Sequence, residues 1–221
     1  MSASLSPEGL QPPAYLPVSE GIQLVHLLRP QFAQAAPDGA SVVQLMAARD
    51  GEGTSSLARD LALIAAREVG LRTLLLDTEG AGRLHADWAR AAHHLPFALA
   101  GTISIRPTPI NIMRIGASPL HVAEPQGDVP IPASAWPGIL NLLRPRFDFL
   151  LVDSPALARS FDGVLLAPNV DGTLLVIEAE ATKVTQVEAL RDRLLENGGK
   201  VVGTMLNKRH FHIPSSIYER T

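Results

Sequence analysis

The sequence predicts an α/β fold of the doubly wound kind, with a mostly parallel sheet and helices on both faces. Three observations carry this. Apolar runs at 42–47, 72–77, 147–153, 172–178 and 201–206 alternate with stretches of helical periodicity. The first run passes through a glycine-bearing turn directly into a helix. Two of the runs end on an aspartate, Asp77 and Asp153, at the strand ends where such sheets bind ligands.

At 221 residues and 46% hydrophobic, the chain has the natural size for one α/β domain with a full core. Residues 1–17 hold Pro7, Pro12, Pro13 and Pro17 among small polar residues and read as a disordered arm; residues 18–221 read as the single domain. The net charge is −3 with no basic run, which argues against nucleic acid as a partner. Cysteine is absent, so disulfides and thiolate metal sites are excluded. The first residues carry no secretory signal pattern, and no uncharged apolar run reaches 18 residues. A cytoplasmic protein is the expectation.

In chain order, Ser19-Glu20 opens a helix with Ile22, Leu24, Val25, Leu27 and Leu28, expected to stop near Pro30. Residues 33–40 read as a connection. The strand 42–47 leads into a helix with Leu57, Leu61, Ile64 and Ala65 on one face, ended by Gly70. The second strand follows and closes on Asp77. Residues 83–94 read as a poorly patterned helix. From Gly101 to Val122 strands are favoured, around Ile103, Ile105, Ile110, Ile112, Met113 and Ile115; Glu124–Pro132 reads as a loop. Helices are expected over Ser134–Leu143 and Phe161–Ala167, and strands over Phe147–Asp153 and Gly172–Glu178. Helix 182–196 should turn Val184, Val187, Leu190 and Leu194 inward, before the last strand, Val201–Leu206.

The turn at 48–55 has the context of a phosphate-binding loop. Against G-x-x-x-x-G-K-[ST] it reads Ala48-Arg49-Asp50-Gly51-Glu52-Gly53-Thr54-Ser55, followed by Ser56. The glycines let backbone N–H groups turn inward, and the helix start adds its positive dipole end. The lysine is missing, and Thr54 stands in its place. The chain has three lysines, Lys183, Lys200 and Lys208, all far along the sequence. A charge about 4 Å from a phosphate oxygen is worth roughly 4 kcal/mol at an effective dielectric near 20, up to about three decades in affinity or rate. Arg49 is the nearby cation with reach. Ser55, Asp77 and Asp153 supply a hydroxyl and two carboxylates of the type that Mg²⁺ takes. A strand-terminal aspartate alone is more often a turn or helix cap. The G-x-G at Gly51–Gly53 lacks the third glycine of a dinucleotide fingerprint. His93-His94 would diverge on a helix, and His210 and His212 read as surface residues. No catalytic triad, H-E-x-x-H motif or catalytic carboxylate pair stands out, so no catalytic residue is assigned.

These residues carry a resemblance. From about Glu20 to Tyr218 the chain resembles the cytoplasmic kinase domain of bacterial tyrosine kinases (BY-kinases), within the deviant-loop P-loop ATPases that include cell-division and plasmid-partition proteins. GEGTSSLARDLA stands where the family has a GEGK[ST] loop. LLLDTEG is similar to its second acidic motif and FDFLLVDSPA to its Walker B strand; IPSSIYER resembles the tail of export-linked members. The resemblance implies a site for ATP or ADP with Mg²⁺ at Arg49, Asp50, Gly51, Glu52, Gly53, Thr54, Ser55 and Ser56. It implies a base contact from Asn207, and metal ligation by Ser55, Asp77 and Asp153. It also implies a partner, a membrane-anchored polysaccharide chain-length regulator (Wzz-like) or export machinery, which would hold the chain peripherally at the inner membrane.

The departures from the family pattern are specific. Thr54 replaces the loop lysine, and Glu79 replaces the second aspartate of the acidic motif. Glu20 matches the oligomerisation motif Glu-x-x-Arg-x-x-Arg, but Gln23 and His26 hold the arginine positions. The tail carries Tyr218 alone instead of a tyrosine cluster. A homo-oligomer is compatible with the resemblance, although the family's ring is not expected. The leading expectation is a degenerate BY-kinase-like protein, a pseudokinase that regulates or scaffolds exopolysaccharide synthesis and export with weak or no ATP hydrolysis. One alternative is an active ATPase or tyrosine autokinase with Arg49 in the lysine's role. Another is a regulatory ParA/MinD-like ATPase of a different system, such as cellulose synthesis.

Overall fold

The computed structural model describes residues 16–33, 39–79, 110–115, 118–125 and 131–208. Apolar runs too short for helices pair here as strands: β1 (Ser41–Ala47), β2 (Thr73–Asp77), β3 (Ile110–Arg114), β4 (Leu120–Pro125), β5 (Phe149–Asp153), β6 (Gly172–Glu178) and β7 (Val201–Asn207). They form one sheet in the order β3-β4-β2-β5-β1-β6-β7. Neighbours are parallel except β3 and β4, which are antiparallel. The helices are α1 (Val18–Ala33), α2 (Thr54–Arg67), α3 (Trp136–Leu143), α4 (Asp162–Leu166) and α5 (Val184–Glu196).

Strand alternation divides the core. Val43, Leu45 and Ala47 of β1 pack with Leu57, Leu61 and Ala65 of α2, and with Val25 and Leu28 of α1. Val42 faces the other way, among Leu140 and Leu143 of α3; Met46 lies with Val164 of α4 and Leu190 and Leu194 of α5. Helices therefore cover both faces, as expected for parallel strands that are apolar on both sides. Gly21 lets α1 sit close on α2, since a Cβ there would meet the Ile64 side chain at 2.3 Å.

Gln44 interrupts the apolar run of β1, yet it is fully buried. Its Nε2 donates to Ser154 Oγ at 2.9 Å and to the Gly163 carbonyl at 2.7 Å. Its Oε1 accepts from Thr173 Oγ1 at 2.9 Å. A buried amide is tolerated because its donors and acceptor are satisfied, and this one ties β1 to β6 and to the segment after β5.

Several expectations are corrected. Helix α1 continues through Pro30 to Ala33; the proline lies in its last turn and removes one helical donor without ending it. Glu124 and Pro125 belong to β4, where Ile110 pairs with Pro125. Proline is accommodated there at the strand's final position. The helix expected from Ser134 starts as a 3-10 turn over Ala133–Ala135. Val184 is exposed, because it opens α5 ahead of the half-buried Val187, where contact with the core begins. The N-terminal arm lies outside the described residues up to position 15. Leu16 is buried, and its N–H donates to Asp60 at 3.2 Å. The helix expected at 83–94, the strand residues Ile103 and Ile105, the His93-His94 and His210/His212 pairs and Tyr218 also lie outside the described residues.

At the opposite end of β1 from the loop, Arg144 makes a two-point ion pair with Asp171, both contacts at 2.9 Å. Asp171 Oδ2 also accepts the Val42 N–H at 2.7 Å, and Arg144 donates to the Ala40 carbonyl at 2.9 Å. The pair is mostly buried, so removing one partner strands the other. Asp171→Ala is expected to destabilise the protein by about 3 kcal/mol, read as a lowered urea midpoint with an unchanged denaturant slope.

Candidate functional site

The parallel register brings the sequence motifs together. Leu45 of β1 pairs with Asp153 of β5, and Asp153 pairs with Asp77 of β2. The two aspartates thus end adjacent strands beside the loop that leaves β1. A cleft of about 320 Å³ opens there, lined by Arg49, Asp50, Gly51, Gly53, Thr54, Ser55 and Ser56 of the loop and helix start. Its other wall is Glu79, Ser154, Pro155, Ala156, Arg159 and Lys208.

The loop is shaped from behind. Asn207 Nδ2 donates to the Glu52 carbonyl at 2.8 Å, and Lys208 Nζ donates to the Gly51 carbonyl at 2.6 Å. In a trans peptide the N–H points opposite the C=O. The Glu52 and Gly53 N–H groups therefore point away from Lys208 and Asn207, next to the first turn of α2, whose amides lack intrahelical partners. Gly53 has φ 93°, and a Cβ there would meet Asn207 Nδ2 at 2.1 Å, so only glycine fits. The Glu52 carboxylate is buried beneath the loop. It accepts the Ala48 and Arg49 N–H groups at 3.0 and 3.1 Å, and the Thr182 hydroxyl donates to it. The side chains of Glu52 and Asn207 therefore brace the loop and do not line the cleft, although both residues were expected to contact nucleotide. Arg49, Asp50, Gly51, Gly53, Thr54, Ser55 and Ser56 do line it.

Among the described residues three cations line the cleft: Arg49, Arg159 and Lys208. Arg49 reaches the Ala181 carbonyl at 3.4 Å. Lys208 also pairs with Glu178 at 3.3 Å. Arg159 spans Asp50, at 2.8 Å, and Glu79, at 2.9 Å. The expectation that Arg49 is the nearby cation with reach is corrected, because β7 delivers Lys208 and the segment after β5 delivers Arg159. Sequence reasoning missed both. Lys208 follows Asn207 at a strand end, which was a usable signal; Arg159 sits in an unpatterned turn.

Asp153 and Asp77 are buried. Asp77 Oδ1 accepts the Glu79 N–H at 2.9 Å. Burial pushes the Asp153 carboxyl up to about 7 against the opposing hydrogen bond from Ser55, and the nearby charges of Asp77 and Glu79 add to the rise while Arg59 opposes it. The rise reflects the cost of charging this carboxyl out of water beside Asp77 and Glu79, a cost that a divalent cation would relieve. Ser55 lines the cleft, whereas Asp77 and Asp153 are buried next to it, Asp153 within hydrogen-bond reach of Ser55; their oxygens are of the type that Mg²⁺, a hard ion, takes. Among the described residues no three His, Asp or Glu side chains converge on a metal position, so hydroxyl, water and phosphate oxygens would complete its shell.

No protein-family model matches the chain. Among known proteins it is similar to the tyrosine-protein kinase CpsD of Streptococcus agalactiae, 24% identical over 172 residues, 76% of this chain and 75% of that protein. It is likewise similar to the tyrosine-protein kinase YwqD of Bacillus subtilis, 24% identical over 177 residues, 75% of this chain and 71% of that protein. The kinase domain of the Escherichia coli tyrosine kinase ETK superposes with a TM-score of 0.67 at 18% identity, over 89% of this chain and 78% of that one. In sequence the chain is similar to these bacterial tyrosine kinases, and its fold is that of their kinase domain. The VpsO kinase domain matches with a TM-score of 0.62 at 24% identity, over 86% of this chain and 96% of that one. The wider P-loop group is present too: the septum site-determining protein MinD of Pyrococcus horikoshii, complexed with Mg-ADP, matches with a TM-score of 0.54 at 16% identity, over 81% and 76%. The doubly wound fold read from the sequence is this P-loop fold.

The raised Asp153 carboxyl gives a pH signature. The folded state holds the proton up to about pH 7, whereas the unfolded chain releases it near 3.9. Stability therefore falls as pH rises between those values and levels off above them. Asp153→Asn removes this pH dependence. Without Mg²⁺, the variant is expected to exceed wild type by a few kcal/mol at pH 8 and to match it near pH 4; paired denaturant melts across that range check it.

Proposed function

We propose that the protein is a degenerate BY-kinase-like regulator or scaffold of bacterial exopolysaccharide synthesis and export, binding ATP or ADP with Mg²⁺ weakly and transferring no phosphoryl group. One observation carries this reading. Thr54, short and neutral, occupies the loop's lysine position on the cleft wall. The backbone donors of the loop do not depend on residue 54, so diphosphate recognition survives. The outer phosphate loses its main cation, and transfer chemistry loses its charge stabilisation. Ser55, Asp77 and Asp153 would hold the Mg²⁺ that accompanies the nucleotide, while Glu79 engages Arg159.

Wild type is expected to show ATP turnover no faster than background. Thr54→Lys is expected to raise ATP affinity at least about tenfold, the effect of a partly screened charge pair. Calorimetric titration and a phosphate-release assay measure the two. Low-micromolar ATP binding by wild type, unchanged by the substitution, would reject the reading. Intact mass after incubation with ATP and Mg²⁺ should be unchanged, Tyr218 included.

The second reading, an active ATPase or tyrosine autokinase, has one observation in its favour: Arg49, Arg159 and Lys208 all line the cleft. Measurable turnover that is lost in Arg49→Ala or Lys208→Ala would establish it.

The partner we propose is a separate membrane-anchored chain-length regulator. No helix among the described residues is long and apolar enough to cross a membrane. Helix α1 exposes Val18 and Leu27, and Gln23 and His26 replace the ring-forming arginines. Capture of such a regulator should require residues 1–30. Capture that survives their deletion, or an octamer in sedimentation of the isolated protein, would contradict this.

A further inference from the structure

We propose that Arg159 is the cation this cleft offers to a polyphosphate, held in reserve by two carboxylates that the incoming phosphate displaces. The inference rests on the reading that the cleft accepts nucleotide, and it names the residue that recognises the outer phosphate.

The backbone puts Arg159 in place. After β5, the N–H groups of Leu157 and Ala158 donate to the Ala47 and Ala48 carbonyls at 2.9 and 3.1 Å. The post-β5 segment is thereby laid along the start of the loop, and Arg159 arrives at the cleft wall. Its Nη2 meets Asp50 of the loop, and its Nη1 meets both oxygens of Glu79 beyond β2, at 2.9 and 3.0 Å. The guanidinium thus spans the cleft between two anions, which marks the position where an anion is held.

The other two cations are placed differently. Lys208 is divided between the Gly51 carbonyl and a single carboxylate, that of Glu178. Arg49 extends to the carbonyl of Ala181, in the turn after β6. Only Arg159 among the three has two carboxylates as partners, so a phosphate replaces like with like.

The exchange is also energetically easy. Arg159 and Asp50 are each more than a third exposed, and ion pairs of this kind contribute little to stability. A guanidinium presents a planar fork that fits phosphate as well as carboxylate. A terminal phosphate brings more charge than either carboxylate.

Calorimetric titration of the full chain with Mg-ATP tests this. Arg159→Ala is expected to weaken binding at least about tenfold, and Arg159→Lys to recover only part of it, because the fork is lost. The double variant Asp50→Asn/Glu79→Gln, which removes the competing anions and leaves Arg159 intact, is expected to bind Mg-ATP several-fold more tightly than wild type. Inorganic triphosphate should compete with ATP on wild type and poorly on Arg159→Ala. Unchanged or tighter binding by Arg159→Ala would overturn the proposal and make the arginine a plug of the cleft. Absence of any ATP binding by wild type at millimolar concentration would overturn it as well and would remove nucleotide binding from the proposed function, while the regulatory role without phosphoryl transfer would stand. ATP turnover by wild type would defeat that reading whatever Arg159→Ala does.

Discussion

The buried carboxylate of Glu52 is the interaction on which the site's form depends. A carboxylate out of water is costly unless it is hydrogen-bonded on all sides, and here the Ala48 and Arg49 amides and the Thr182 hydroxyl meet it. That arrangement turns the start of the loop toward its own interior and fastens it to the turn after β6. Asn207 and Lys208 then fix the two carbonyls that flank Glu52 along the chain. The backbone of the loop is set by these contacts, and none of them involves residue 54. The loop can keep its shape while its side-chain chemistry has changed.

Much of the fold was legible in the sequence because burial on two faces leaves a plain record. Runs such as Leu74-Leu75-Leu76 and Leu150-Leu151-Val152 are fully buried and admit little besides a central parallel strand. The ends of elements were less legible. Pro30 and Pro125 both look like residues beyond an element, and both lie within one, α1 and β4. Each stands at an element's final turn or residue, where one missing donor matters little.

The candidate site was legible in part, for a physical reason. Residues that line the cleft from one continuous stretch, Arg49 to Ser56, show in the local pattern. So do Asp77 and Asp153, because strand register must bring them side by side. Glu52 and Asn207 have motif positions that suggest ligand contact, but their side chains point into the protein. Arg159 and Lys208 contribute through tertiary placement alone, and no spacing rule connects residue 50 with residue 159. A reading confined to the loop therefore undercounts the positive charge at the cleft.

The bonds from Asn207 and Lys208 to the loop also have a consequence for synthesis. The loop emerges from the ribosome early, yet the two side chains that set its carbonyls come more than 150 residues later. Until β7 has docked on β6, Glu52 and Gly51 lack those partners, and contacts of such long sequence separation form late in folding. A nascent or truncated chain can build most of the sheet without a finished anion cradle. Competence to hold a phosphate is thereby reserved for the molecule that has been translated at least through Lys208.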